Sequence, residues 1–212
     1  MITKEEIEEI QRALLAKGID VGKAGVDGKW GGDTRKAIHA AIGLVPHSLA
    51  VLDDARPAGA PDYALPIRNS PKATRRIDEV IVHCTATPED RAVTVNEIRG
   101  WHLARGWKDI GYHWVVLLDG TIQPGRPEAQ VGAHVEGHNT GTLGIVYVGG
   151  VAADGKTAKD TRTPAQKAAL LAAVKALLAK YPAIDKVSGH NQYANKACPS
   201  FDVRKDALGA LV

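Results

Sequence analysis

Imidazole and thiol side chains gather in one part of this chain. Six of the eight histidines (His83, His102, His113, His134, His138 and His190) lie beyond residue 76, together with both cysteines, Cys84 and Cys198. His83 closes the apolar run Val80-Ile81-Val82, where a buried strand can present a side chain at a sheet rim. His190 follows the short segment Lys186-Val187-Ser188-Gly189. Cys198 stands eight residues later, in a loop closed by Pro199. Two imidazoles and one thiolate form a zinc set, and three protein ligands leave a fourth position for water. Water held there is acidified and ready to attack a carbonyl. The spacing is not a short metal motif, and by residue type alone ordinary surface or hydrogen-bonded core histidines are the simpler reading.

The elements that would position these groups alternate along the chain. Glu79-Val80-Ile81-Val82 reads as a buried strand, and Thr94 to Arg105 as a helix through Ile98, Trp101 and Leu103. Tyr112 to Leu118 is strand-like, and Asp119-Gly120 signals a hairpin into Thr121-Ile122-Gln123. Leu143 to Val148 is a further β-branched run. Thr163-Pro164 opens a long helix ending near Lys180, and a short last helix is expected over Asp202 to Leu211. The order predicts an α/β fold, a mixed central sheet with packed helices. Strand alternation points Cys84 away from His83, so it reads as a small buried residue rather than a disulfide partner of Cys198. His113 reads as structural, and His102 as a surface residue or a support behind the site. Trp101, Trp107 and Trp114 are candidates for stacking on sugars, with core packing the better reading of Trp101 and Trp114.

Ahead of this domain, five of the eleven prolines fall between Pro46 and Pro71, which reads as a linker or a surface-hugging connector over residues 46–76. Residues 1–45 are then a small helical unit and 77–212 the main domain. Thr3 and Glu6 form a capping box before Ile7, Ile10, Leu14 and Leu15, and Gly18 is a candidate C-cap. Asp33 or Thr34 can open a second helix carrying Ala37, Ile38, Ala41 and Ile42. With 212 residues, 44% hydrophobic and 24% charged, the chain is an ordinary globular one, neither disordered nor a disulfide miniprotein. A net charge of +3 is too weak to argue for nucleic acid. No apolar run is long enough to insert in a membrane. The start, Met1-Ile2-Thr3-Lys4-Glu5-Glu6, is acidic and helical, so no signal peptide and reduced thiols are expected.

Val82-His83-Cys84-Thr85-Ala86-Thr87, Gly111-Tyr112-His113, Gly149-Gly150 and Lys196-Ala197-Cys198-Pro199-Ser200-Phe201-Asp202 together resemble the type 2 N-acetylmuramoyl-L-alanine amidases. Within that group the likeness is to short phage lysozymes of the amidase type, which are related to peptidoglycan recognition proteins. It covers about residues 77–210, with the motifs in family order. The resemblance implies a zinc enzyme that cuts the amide between the lactyl group of N-acetylmuramic acid and L-alanine of the stem peptide. It places zinc ligands at His83, His190 and Cys198, a catalytic tyrosine at Tyr112 and a catalytic lysine at Lys196. His134, in Gly132-Ala133-His134, matches a position near the groove of similar phage enzymes and is a candidate for touching substrate, with a groove-wall or structural role as its alternative. Asn139, in the loop Gly137-His138-Asn139-Thr140, is a second such candidate, with a turn role as its alternative.

Asp27-Gly28-Lys29-Trp30-Gly31-Gly32-Asp33-Thr34, after Ile10-Gln11-Arg12-Ala13-Leu14, resembles the type 1 peptidoglycan-binding module, but Gly43 stands where that family has an aromatic-glutamine pair. The implied partner is bacterial peptidoglycan, bound by a monomer. Without a leader, the expected setting is a phage or prophage endolysin made in the cytoplasm and let through the membrane by another protein. The rivals are a cytoplasmic wall-recycling amidase acting on soluble muropeptides, a protein that binds wall without cutting it, and a purely structural zinc. The anchor, the intact ligand set and the absence of a fourth protein ligand argue against them in turn.

Overall fold

The computed structural model describes residues 3–16, 19, 21, 25–28 and 61–212, which fall in two compact units, residues 1–60 and 61–212. In the first unit, helix α1 (Lys4–Ala16) starts on the expected capping box. Thr3 Oγ1 accepts the Glu6 N–H at 3.2 Å, and the Glu6 carboxylate accepts the Thr3 N–H at 2.7 Å. Ile7 and Leu14 are buried, whereas Leu15, expected on the apolar face, is 44% exposed. Gln11 takes a place on that face because it ties down a loop. Its Oε1 accepts the Asp27 and Gly28 N–H groups, each at 3.0 Å, and its Nε2 donates to Asp27 Oδ1. Gly28 has φ +64°, a conformation that favours glycine. The Gly18 cap, the loop beyond Gly28, the second helix and residues 46–60 of the linker lie outside the described residues.

The second unit is built on a five-stranded sheet in the order β4-β3-β5-β1-β7. The strands are β1 (Glu79–Cys84), β3 (Trp114–Val116), β4 (Ile122–Pro124), β5 (Thr142–Tyr147) and β7 (Lys186–Gly189). β1, β3, β5 and β7 run parallel, and β4 returns antiparallel to β3. Between them, β2 (Thr87–Pro88) and β6 (Gly150–Val151) form a small parallel pair. The strand expected over Tyr112 to Leu118 is shortened to three residues. Its Asp119-Gly120 signal serves a longer turn, in which the Leu117 N–H reaches Thr121 O at 2.9 Å and Gly120 has φ +84°.

Strand alternation divides the core. Val80, Val82 and Cys84 of β1, Leu143, Ile145 and Tyr147 of β5, and Trp114 and Val116 of β3 pack with Leu170, Ala173, Val174 and Leu177 of helix α4 (Pro164–Lys180). Val115 and Val146 face the other way, with Val95 and Ile98 of helix α3 (Val95–Ala104). His83 belongs to this second set by parity. Both helices open on capping boxes, Thr94 with Glu97 and Thr163 with Gln166. The last helix expected from the sequence is instead two 3-10 turns, Val203–Lys205 and Gly209–Leu211. Asp202 and Asp206 accept the Arg204 and Leu208 N–H groups, each at 3.1 Å, and this local bonding competes with a continuous helix.

Residues 61–76 belong to the second compact unit, which begins at Pro61, and pack on it as the connector alternative anticipates. Helix α2 (Leu65–Asn69) accommodates Pro66 in its first turn, where a missing N–H costs nothing. Ile67, Ala73 and Ile77 then bury themselves in the α4 core. A buried carboxylate locks the segment in place. Glu128 accepts from Trp114 Nε1 at 2.9 Å, Tyr181 OH at 2.5 Å and Lys180 Nζ at 2.8 Å, while Lys180 also donates to Ile67 O and Ser70 O. Glu128→Gln keeps the shape and removes the charge from these bonds. It is expected to cost about 1.5–3 kcal/mol, the worth of a hydrogen bond to a charged group, read as a lower urea midpoint with an unchanged slope.

Candidate metal centre

The register of the sheet brings the histidines together. β1 lies between β5 and β7, with Val82 beside Gly189. His83 therefore emerges at the C-terminal end of β1, next to the point where β7 ends and the 3-10 turn His190–Gln192 begins. The two imidazoles lie 4.9 Å apart, edge to face. The following loop folds back tightly, with the Tyr193 and Ala194 N–H groups on His190 O. It is pinned to the core where Tyr147 OH donates to Pro199 O at 2.7 Å. This delivers Cys198 Sγ to 3.3 Å from the Cys84 N–H, which it accepts, and 3.7 Å from His83 Nδ1. One ligand atom from each of His83, His190 and Cys198 lies within 4.8 Å of the others. Tetrahedral zinc with bonds of about 2.0–2.3 Å spaces its ligand atoms roughly 3.3–3.8 Å apart, so the three atoms fit with a small contraction.

The electrostatics suit a cation. Burial, reinforced by His134, His190 and Lys196, holds His83 well below its ordinary pKa, so the ring is neutral and free to ligate. Burial and then Lys196 lower His190 in the same direction. The neighbouring Cys84 and burial push the Cys198 thiol up. The trio thus carries no charge of its own, and a bound cation is what would favour the Cys198 thiolate. Both thiols are free, and Cys84 faces the α4 core as its strand position predicts.

Tyr112 is half-buried just before β3, with its ring 5.0 Å from that of His83. Burial raises its hydroxyl well above the ordinary value, which keeps it a proton donor near neutrality. Lys196 is exposed on the loop two residues before Cys198, and its charge is felt at both His83 and His190. The structure therefore brings Tyr112 and Lys196 to the same centre as the three ligand candidates.

The two substrate-contact candidates make internal bonds of the kind their structural alternatives anticipate. His134 is only 6% exposed, with Nδ1 3.1 Å from His83 Nε2 and Nε2 3.3 Å from Thr142 Oγ1. Asn139 turns its Oδ1 inward to accept the His134 and Val135 N–H groups at 2.8 and 3.0 Å. His113 is structural as expected: its Nδ1 accepts the Gly144 N–H at 2.9 Å, and burial lowers its pKa to about 4. His102, expected at the surface or as a support, is buried. Its Nδ1 accepts the Gly111 N–H at 3.0 Å, its ring stacks on Trp107, and it lies 5.4 Å from the Tyr112 ring. It therefore shapes the turn that presents Tyr112. Trp114 is in the core, Trp101 packs on the α3 side, and Trp107 is 37% exposed. Thr142 was not singled out from the sequence. A threonine opening a β-branched run looks like any strand residue, and only the fold places it behind His134.

Comparison with known proteins points the same way. Residues 73–201 match the family described as N-acetylmuramoyl-L-alanine amidase. The endolysin of Escherichia phage T7 is 42% identical over 134 residues, covering 63% of this chain and 87% of that protein. The N-acetylmuramoyl-L-alanine amidase endolysin LysCS of Clostridium intestinale URNW superposes with a TM-score of 0.52 at 32% identity, over 60% of this chain and 78% of that one. Drosophila PGRP-LB superposes with a TM-score of 0.50 at 26% identity, over 62% and 79% of the two chains.

Proposed function

The chain belongs to the N-acetylmuramoyl-L-alanine amidase family, and on that premise we propose that it is a zinc-dependent endolysin of phage or prophage origin. Its substrate is bacterial peptidoglycan, cut at the amide between the lactyl group of N-acetylmuramic acid and L-alanine of the stem peptide. The carrying observation is the convergence of His83, His190 and Cys198 at the sheet rim, with Tyr112 and Lys196 beside them.

When bound by this trio, zinc would supply Lewis acidity toward the scissile carbonyl and a reactive water at neutral pH. The chain's own residues would do the rest. Lys196 offers a positive charge where the tetrahedral oxyanion develops. That help matters more beside a thiolate ligand, which donates negative charge and softens the cation. Tyr112, protonated and half-buried, can hold the attacking water or pass a proton to the leaving amine. Lys196 is exposed on its loop, whereas His83 is fully buried. No helix among the described residues is long and apolar enough to cross a membrane. As an endolysin the chain would reach the wall with the help of a separate membrane-permeabilising protein.

The test is a mass spectrum of purified peptidoglycan digested with the full chain. Release of free stem peptides beginning at L-alanine, abolished by a chelator and restored by zinc, is the expected result. Intact lactyl–alanine bonds with zinc bound would refute the amidase assignment of these residues.

The first unit adds a proposed wall anchor, supported by its Asp27-Gly28-Lys29-Trp30 motif. An anchor raises the local concentration of the catalytic unit on an insoluble substrate. The full chain is expected to sediment with peptidoglycan sacculi, and a version starting at Pro61 to stay largely in the supernatant. Equal sedimentation of the two would dismiss the anchor.

A further inference from the structure

We infer that His134 is a positioning residue for the metal centre: through a chain of hydrogen bonds it fixes the tautomer and plane of His83, so that Nδ1 of His83 presents its lone pair to the cation. The inference rests on the zinc reading above and deepens it.

The argument starts at the far end of the chain of bonds. Thr142 Oγ1 lies 2.8 Å from His138 O and 3.1 Å from Asn139 O. Carbonyl oxygens only accept, so the single hydroxyl proton is committed to them. His134 Nε2, 3.3 Å from the same hydroxyl oxygen, must then be the donor of that pair. A neutral imidazole carries one N–H, which leaves His134 Nδ1 as an acceptor. The atom facing it, at 3.1 Å, is His83 Nε2, which therefore carries the proton of its own ring. His83 Nδ1 is left bare, and Nδ1 is the atom 3.7 Å from Cys198 Sγ. Two backbone carbonyls thus set the protonation pattern of three side chains and aim a lone pair at the centre. Such partners behind a ligand orient it and raise its basicity, and losing one typically weakens metal binding by about 10–100-fold.

The surroundings make room for this ring. A Cβ on Gly132 would meet His134 Cδ2 at 2.5 Å, and one on Gly144 would meet it at 2.6 Å. Either is closer than two carbons can stand. Asn139 holds the loop backbone at His134 and Val135, so it delivers the ring rather than facing outward. The His134 and His83 rings meet edge to face at 81°, the geometry an in-plane N–H···N bond permits between non-parallel rings.

Three measurements on the full chain test this. The first is zinc affinity by competition with a chelating dye, with the visible spectrum of the cobalt-substituted protein alongside. His134→Leu is expected to bind zinc about 10–100-fold more weakly, with shifted cobalt bands. His134→Asn, which places an amide oxygen where Nδ1 stands, is expected to restore most of the affinity. A folded His134→Leu protein with wild-type zinc affinity and cobalt spectrum would overturn the inference alone. So would an Asn variant as weak as the Leu one. Wild-type protein that binds no zinc would overturn the metal reading, and this inference with it. The third measurement needs no variant. Nitrogen-15 shifts of the metal-free wild type are expected to show His83 and His134 both protonated at Nε2, and protonation of either at Nδ1 would refute the chain of bonds.

Discussion

Cys198→Ser is expected to abolish stem-peptide release, with a loss of at least about three orders of magnitude in kcat. The size follows from what the thiolate holds. Lewis-acid assistance to amide hydrolysis is worth several kcal/mol, and each 1.36 kcal/mol is about tenfold in rate. A serine hydroxyl is a far weaker ligand, and two histidines alone leave the trio incomplete. The fold is expected to survive, because the loop is held independently: Tyr147 OH reaches Pro199 O, Ser200 Oγ donates to Gly150 O, and Asn191 reaches Phe201 O. The check pairs zinc content by elemental mass spectrometry with stem-peptide release and a thermal melt of the metal-free protein. Wild-type enzyme stripped by a chelator should recover with zinc, and the serine variant should not. Full turnover by a zinc-free Cys198→Ser protein would remove the metal from the reaction.

How far this centre could be read from the sequence depends on what each residue answers to. Apolar runs, helical periodicity and a first-turn proline are local signals, so the runs at β1, β5, α3 and α4 gave elements close to those found, and the mixed α/β class followed from their order. His83, His190 and Cys198 were visible as residue types, but only the parallel register of β1 with β7 sets two of them side by side. Proline density marks residues 46–76 as a connector, but it does not say which part packs on the following unit, which begins at Pro61. Pro66 sits where a helix tolerates it, and Ile67, Ala73 and Ile77 supply the apolar anchors. Glu128 carries the same lesson. Its buried network joins residues more than fifty positions apart, and no window of sequence contains it.

His134 and Asn139 show a different limit. A histidine and an asparagine in a glycine-rich loop beside a cleft read naturally as groups that face a ligand. Their structural alternative rests on bonds that only the fold supplies: the Thr142 hydroxyl is claimed by two carbonyls of that same loop, and Asn139 Oδ1 turns inward to the loop backbone. The chemistry of the centre is thereby split between two directions. From behind, the sheet and loop present a buried array of neutral imidazoles with fixed protons. From the front come the exposed Lys196 and the half-buried Tyr112.

That division predicts how the front pair should behave. Lys196→Ala removes a charge aimed at the developing oxyanion and nothing behind the ligands. It is expected to lower kcat about 10²–10³-fold, the usual cost of losing one such stabilising group, while zinc content stays at the wild-type level. Tyr112→Phe removes the hydroxyl but keeps the ring that packs against His83, so the metal centre should again be undisturbed. Loss of a general acid–base group typically costs about 10²–10⁴-fold. If both groups serve one tetrahedral state, the double variant should lose less than the product of the two single losses. Rates on intact sacculi would combine chemistry with wall anchoring, so the comparison belongs on soluble muropeptide at saturation, where kcat is read directly. Two zinc-replete single variants with full turnover would show that the cation alone carries the reaction, and that Tyr112 and Lys196 stand at the centre without taking part.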